Sequence, residues 1–346
     1  MGVGVFRHGL ALFAVAISLS PGPMGSASAQ PAAPVKVVLD GRIEGPAAPA
    51  FVALERGYFK NEGLEVGIEP SPGNSTEAIT RVASGAADIG FADINVLIRY
   101  RDQNPAAPVK AVFIVNNRPN YAIIGRKSRG VARVVDLEGM RLGAPAAEPA
   151  TAAWPIIARI RGVDLSKVTV INVGIPVREP MLASGELDAV TGTSSSSPIS
   201  LRAKGVPGDD IAVLLMAERG LDLYGQAVIV NTKFAAEKPD VVRGFLRAFL
   251  HGLKETLRDP DAAVAPVLAR MSGGVRELEI ERLRATIRDS ILTPEVAERG
   301  FGDVDEMRFV RALDQIGLGY AYKNKPKPSD IFDPSFLPDA SERKPD

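Results

Sequence analysis

The sequence predicts an α/β protein built as two lobes. Three observations carry the prediction: strand-like and helical patterns alternate from Val35 onward, one strand–helix unit recurs at a distance of 100 residues, and two short apolar strands bracket the middle of the chain. The alternation starts with an apolar strand at 35–39. A short helix follows at 47–56, closed by Gly57 in the position where a left-handed residue ends a helix. A second strand covers 64–68. Asn74, with Glu77 three residues on, has the form of a capping box and opens a helix that runs to Ser84. A third strand at 89–91 completes the unit.

The unit then returns. Ala83-Ser84-Gly85-Ala86-Ala87-Asp88-Ile89 is matched by Ala183-Ser184-Gly185-Glu186-Leu187-Asp188-Ala189. In both copies glycine is placed to end the preceding helix and aspartate begins a strand. A spacing of 100 residues suits two similar lobes and is far too long for a solenoid repeat. The apolar strands at 121–125 and 227–231 then read as crossings between lobes. This gives one lobe of 35–122 plus 229–338, a second lobe of 123–228, and a C-terminal tail of 339–346. Apolar residues from Val241 to Leu257 recur at helical spacing, and two further helical patterns lie around Leu283 and Leu313. These helices are expected to pack on the first lobe.

Composition excludes several functions. The 346 residues carry 41 basic and 41 acidic side chains, and this balance argues against a nucleic-acid partner. The lack of cysteine excludes disulfides, cysteine-based zinc or iron–sulfur sites, thiol catalysis and a lipid-modified N-terminal cysteine. His8 and His251 are the only histidines, and no nucleophile elbow, phosphate-binding loop, dinucleotide fingerprint or zinc-protease motif is present. No catalytic residue, metal or cofactor is assigned. Residues 1–29 have the form of an export signal. Arg7 precedes a ten-residue apolar run from Leu10 to Leu19, Pro21-Gly22-Pro23 breaks it, and Ala27-Ser28-Ala29 sets cleavage after Ala29. Ten apolar residues are too few to span a bilayer as a helix. The expected product is a soluble, monomeric periplasmic protein without a lipid anchor.

In open α/β sheets ligands bind beyond the carboxyl ends of the strands, where helix N termini offer N–H groups to anions. Six loops enter helices in this way: 41–46, 71–76, 92–95, 116–121, 144–151 and 191–197. The expected ligand contacts are Asn74, Ser75, Thr76, Asp93 and Asn95 on the first lobe, and Ala147, Thr151, Thr191, Thr193 and Ser194 on the second. Arg118, Asn120 and Tyr121 join them near the first crossing, and Tyr224, just before the second, closes one side. Asn74, Ser75 and Thr76 serve equally well as helix caps. Arg118 and Arg178 suit either a bidentate grip on an anion or simple solvation. Trp154 reads as core. Few aromatic residues disfavour a cleft of rings stacked on sugar. Small anions suit the helix ends, and aromatic or heteroaromatic solutes suit Phe91, Tyr121 and Tyr224.

Gly57-Tyr58-Phe59, Glu62-Gly63-Leu64-Glu65-Val66 and Ser84-Gly85 with Asp88-Ile89-Gly90 resemble the N-terminal pattern of ABC-transporter substrate-binding proteins of the nitrate/taurine/sulfonate type, which have thiamine-pyrimidine-binding relatives. The resemblance continues through Asp136-Leu137-Glu138-Gly139, Gly162-Val163-Asp164-Leu165 and Ser335-Phe336-Leu337-Pro338, and spans nearly all of 35–338. It implies a type II periplasmic binding protein: two α/β lobes joined by two hinge strands, extra C-terminal helices on the first lobe, and a small-molecule ligand held between the lobes by hinge closure. It further implies delivery of that ligand to the permease and ATPase subunits of an ABC importer. Two alternatives stay open: an enzyme similar to the pyrimidine synthases of the same fold, which use a His- and Cys-rich site, and a ligand-sensing subunit of a membrane receptor. The lack of cysteine speaks against the enzyme.

Overall fold

The structure, a computed structural model, describes residues 1–6, 9, 32–71 and 74–345. The chain divides after Pro31 into two units. Residues 1–6 and 9 of the first unit form neither helix nor strand, and the expected apolar run and cleavage site lie outside the described residues.

Among the described residues from Ala32 onward, ten strands build two five-stranded sheets. They are β1 (Ala33–Val38), β2 (Leu64–Glu69), β3 (Ile89–Asp93), β4 (Val109–Ile114), β5 (Tyr121–Arg126), β6 (Arg141–Gly143), β7 (Thr169–Ile171), β8 (Ala189–Thr193), β9 (Ile211–Leu215) and β10 (Gln226–Asn231). The orders are β2-β1-β3-β10-β4 and β7-β6-β8-β5-β9. In each sheet the strand that arrives from the other half of the molecule, β10 or β5, runs antiparallel to both neighbours. The other pairings are parallel, with helices covering the sheets as the strand–helix alternation requires.

The sequence repeat occupies equivalent places in the two halves. Helix Ser75–Ser84 precedes β3, and helix Ile175–Ser184 precedes β8. Gly85 and Gly185 end these helices at φ 80° and 91°, in the left-handed region that an L side chain resists. The repeated aspartate then ties its strand to the next. Asp88 Oδ2 accepts the backbone N–H of Lys36 at 2.8 Å, and Asp188 Oδ2 accepts that of Arg141 at 2.8 Å.

The chain passes between the sheets twice, at 115–120 on the way into β5 and at 216–225 on the way into β10. The crossings touch. Gly225 N–H donates to Asn116 O at 2.9 Å, and Asn116 N–H donates to Gln226 O at 3.0 Å. A Cβ at position 225 would lie 3.0–3.1 Å from Asn116, Arg118 and Pro119, so glycine permits this approach.

After β10 the chain is helical. Helix Pro239–Arg258 lies against helix Ala48–Glu55, and its Phe245 and Phe249 pack on Phe59 and Phe91 with ring centroids 5.0 and 5.3 Å apart. All four rings are buried, each worth about 1.5–3 kcal/mol relative to exposure. Helix Glu306–Gly317 reaches further than the first sheet. Its Phe309 meets Tyr224 edge-on at 5.9 Å, and Leu313 and Ile316 share a core with Trp154 and Ile156 of helix Pro149–Ile160. The segment after 338 is fastened by the buried Arg343, which donates to Pro338 O and Phe301 O at 3.0 Å each. Among the described residues no helix is long and apolar enough to cross a membrane.

Candidate ligand-binding cleft

A cavity of about 350 Å³ is lined by residues from both sheets and both crossings. Its first wall is a connected acidic network. Asp40 lies two residues beyond β1; its Oδ1 accepts Gln226 Nε2 at 2.9 Å and its Oδ2 accepts Ser75 Oγ at 3.3 Å. Ser75 Oγ in turn accepts the backbone N–H of Asp93 at 3.0 Å. The Asp93 carboxylate caps helix Ile94–Gln103 through the N–H groups of Asn95 and Val96, and also accepts the Tyr121 hydroxyl. Burial pushes the Asp40 carboxyl up to about 6, and the nearby charge of Asp93 adds to the rise. Burial also raises Asp93, against the hydrogen bond from Tyr121 and the charge of Arg99. The Tyr121 hydroxyl stays protonated because burial, then Asp93, disfavours its anion.

The second wall is built around a buried cation. Glu148, at the start of helix Pro149–Ile160, pairs with Arg178 of helix Ile175–Ser184. The same guanidinium binds Glu179 at 2.7 Å, Thr191 O at 3.1 Å and Ser197 Oγ at 3.2 Å. Arg178 is thus a structural cation rather than a free anion fork. Burial raises the Glu148 carboxyl while the charge of Arg178 opposes the rise. Near the rim burial likewise raises Glu44, with Arg282 opposing.

Of the expected contacts, the structure brings Asn74, Ser75, Thr76, Asp93, Asn120, Tyr121, Ala147 and Thr193 to the cavity wall. The other six lie elsewhere. Asn95 is buried behind Asp93 and donates through Nδ2 to Tyr224 O at 2.7 Å and Tyr121 Oη at 3.2 Å. Thr151 and Thr191 bond each other through their hydroxyls at 2.7 Å. Ser194 Oγ donates to Asp289 Oδ2 at 2.6 Å. Arg118 lines a separate pocket with Glu295 and Arg308. Tyr224 is fully buried and donates to Glu295 at 2.8 Å, away from the cleft. The helix N termini on the first wall are already occupied, because Asn74 Oδ1 takes the Thr76 N–H at 2.9 Å and Asp93 takes those of Asn95 and Val96.

Asp40, Glu44, Asn116, Glu148 and Gln226 line the cavity without having been singled out as contacts. Asp40 carried a usable signal, since it is the first residue beyond an apolar strand. Phe249 and Thr286 reach the cavity from the C-terminal helices, and nothing in their local sequence marks that.

Among curated proteins, the chain is 29% identical over 220 residues to the riboflavin-binding protein RibY of Chloroflexus aurantiacus, a match covering 62% of this chain and 60% of that protein. It is 28% identical over 257 residues to the formylaminopyrimidine-binding protein of Halalkalibacterium halodurans, covering 72% and 75%. A 27% identity over 221 residues links it to the 4-amino-5-hydroxymethyl-2-methylpyrimidine phosphate synthase of Schizosaccharomyces pombe, covering 61% and 62%. The chain thus spans less than two thirds of the first and third of these relatives. Among solved structures, the periplasmic aliphatic sulphonate binding protein of Escherichia coli superposes with a TM-score of 0.70 at 13% identity, covering 88% of this chain and 94% of that one, a likeness of fold. The NMT1/THI5-like family model matches residues 46–263, and the chain, with its two lobes and the cleft lined from both, belongs to that family and has the periplasmic binding protein fold.

Proposed function

We propose that the chain is an exported solute-binding protein that captures a small heteroaromatic solute rich in N–H donors and passes it to the permease and ATPase subunits of an ABC importer. The observation that carries this reading is the surplus of acceptors in the cleft. Asp40, Glu44, Asp93 and Glu148 line it, whereas its one lining guanidinium, Arg42, is exposed and Arg178 is committed to two carboxylates. An anion entering this cleft meets like charge. Ring N–H and amino groups meet carboxylates and carboxamides, and Leu39, Phe91, Val115 and Phe249 supply apolar surface for a ring. The two relatives named as binding proteins are named for nitrogen heterocycles. Capture follows from a ligand that contacts both walls, because only the closed arrangement makes both sets of contacts. Asn74, Ser75, Thr76, Asp93, Asn120, Tyr121, Ala147 and Thr193 are the contacts from the sequence reading that this proposal keeps.

The fungal relative named as a synthase supports a second reading, an enzyme. The cleft lining contains no histidine, and His251 is exposed beside Tyr58. A thermal-shift screen decides between ligand classes. A ligand present at about a hundredfold its Kd adds roughly 2.7 kcal/mol of stability. Formylaminopyrimidine or riboflavin is expected to raise the melting temperature, and an alkanesulfonate and nitrate are expected to leave it unchanged. A shift from the anions alone overturns the proposal. Recovery of the bound heterocycle unchanged after long incubation supports the binder, and a new product supports the enzyme. N-terminal sequencing of the exported protein is expected to begin at Gln30.

A further inference from the structure

The two crossings are held by one side chain that belongs to neither. Arg308, on helix Glu306–Gly317, is buried with its guanidinium 4.0 Å from the Tyr224 ring. A guanidinium carries five N–H donors in a fixed fork, and all five have acceptors here. Nε donates to Asp222 Oδ1 at 2.7 Å. One terminal nitrogen donates to Asn117 Oδ1 at 3.0 Å and Glu295 Oε2 at 2.9 Å, and the other to the carbonyl oxygens of Asn117 and Leu223 at 2.9 Å each. Asn117 lies in the first crossing, and Asp222 and Leu223 lie in the second. The fork therefore bonds the main chain of both crossings at once. On the cleft side Asn95 does the complementary job, joining Tyr121 at the end of the first crossing to the Tyr224 carbonyl in the second.

We infer that Arg308 is a positioning residue for lobe closure: together with Asn95 it clamps the crossings between the C-terminal helix and the cleft floor, so that the lobes rotate about one fixed axis instead of splaying. The inference rests on the closure reading above. It follows from geometry. Two chain segments whose main chains meet at Val115, Asn116, Gly225 and Gln226 can still shear past each other beyond that point, and a planar fork bonded to both forbids shear while leaving rotation about the line between its acceptors. Lysine cannot replace it, because an ammonium offers three donors from one point and cannot reach two carbonyls and three side chains in a plane. Asn95 was a candidate ligand contact from sequence. Its place behind Asp93 makes it instead a link from the cleft wall to the axis of motion.

The test uses the full chain. Since it lacks cysteine, Glu65→Cys on β2 and Lys204→Cys beyond helix Ser197–Ala203, both exposed, give one spin label on each half. Distance distributions are measured without ligand in this parent and with Arg308→Lys added. The expected result is retained cooperative melting with a distribution broadened on the order of twofold toward longer separations. A parent-like distribution in a variant that merely melts lower overturns the inference and leaves Arg308 as a packing contact. If Arg308→Lys does not melt cooperatively, Asp222→Ala decides: it removes one acceptor at the edge of the fork, broadening supports the clamp, and a parent-like distribution overturns it. Formylaminopyrimidine and riboflavin are then added to the parent. Failure of both to narrow its distribution counts against capture by closure, while the ligand-free comparison still decides the clamp.

Discussion

The two walls of the cleft come from matching halves of the molecule and hold their acids by different physics. On the first wall, burial and then the charge of Asp93 disfavour ionisation of Asp40, with hydroxyl and amide donors in place of a cation. On the second, Glu148 faces the cavity with Arg178 directly behind it. The surrounding scaffold is the same in both: a helix ended by a left-handed glycine, then a strand whose aspartate binds the neighbouring strand's N–H at 2.8 Å. What the two halves share is the frame, and the charge chemistry at the strand ends differs between them. The first wall can exchange protons near physiological pH, whereas on the second the Arg178 guanidinium opposes the rise that burial gives Glu148.

The contrast is broken most severely at Arg178. Arg178→Met leaves Glu148 and Glu179 buried without their cation, and breaking a buried pair from one side costs about 3–5 kcal/mol. Chemical denaturation is expected to show that loss at neutral pH and a smaller one in acid, where the orphaned carboxylates protonate. A loss below about 1 kcal/mol would mean that the second wall does not depend on its cation. On the first wall, Asp93→Ala removes a helix cap and leaves the buried Tyr121 hydroxyl with Asn95 alone. A cap is worth about 1 kcal/mol and an abandoned buried hydroxyl about 1–3, so the expected loss is about 2–4 kcal/mol, centred below that at Arg178.

These two residues also show how far the sequence could be read. The repeat, the strand order it suggests and the loops around the cleft follow from glycine conformation, helix capping and apolar runs, all of which act over a few residues. Each of the six loops expected to enter helices supplies at least one lining residue, although 116–121 leads into β5 instead of a helix. Individual contacts were harder to read, because a hydroxyl or amide near a strand end has several possible partners and only packing chooses among them. Ser194 found Asp289, 95 residues on, and Tyr224 found Glu295, 71 residues on, so both turned away from the cavity. Sequence alone leaves Arg178 as a possible anion fork because its partner Glu148 lies 30 residues earlier, beyond any helical or strand spacing. Asp40 carries less local signal than the glycine-rich loop that follows it, although ligands bind just beyond strand ends.

The smallest expected effect has the opposite sign and separates the walls most cleanly. Because burial raises Asp40 from its ordinary 3.8 to about 6, the folded state binds the proton more tightly than the unfolded chain does. The contribution of Asp40 to the stability of the ligand-free protein therefore falls as pH rises through that interval and is flat above it. Asp40→Asn removes the drop while keeping an acceptor for Gln226, so the variant should match the parent in acid and exceed it at neutral pH. A two-unit shift corresponds to roughly 3 kcal/mol, and the partial exposure of Asp40 reduces the expected gain to about 1–2 kcal/mol. Ligand binding should respond in the other direction. A solute that donates N–H to the Asp40 carboxylate must displace its proton, so affinity for the heterocycle found in the thermal-shift screen should fall below about pH 6, by up to tenfold per unit. In Asp40→Asn binding should be weaker and much less dependent on pH. Calorimetric titration in buffers of different ionisation enthalpy would register the released proton directly. If Asp40→Asn keeps the parent's pH profile while Glu148→Gln abolishes it, the proton-linked wall is the second one, and the contrast drawn between the two halves is reversed.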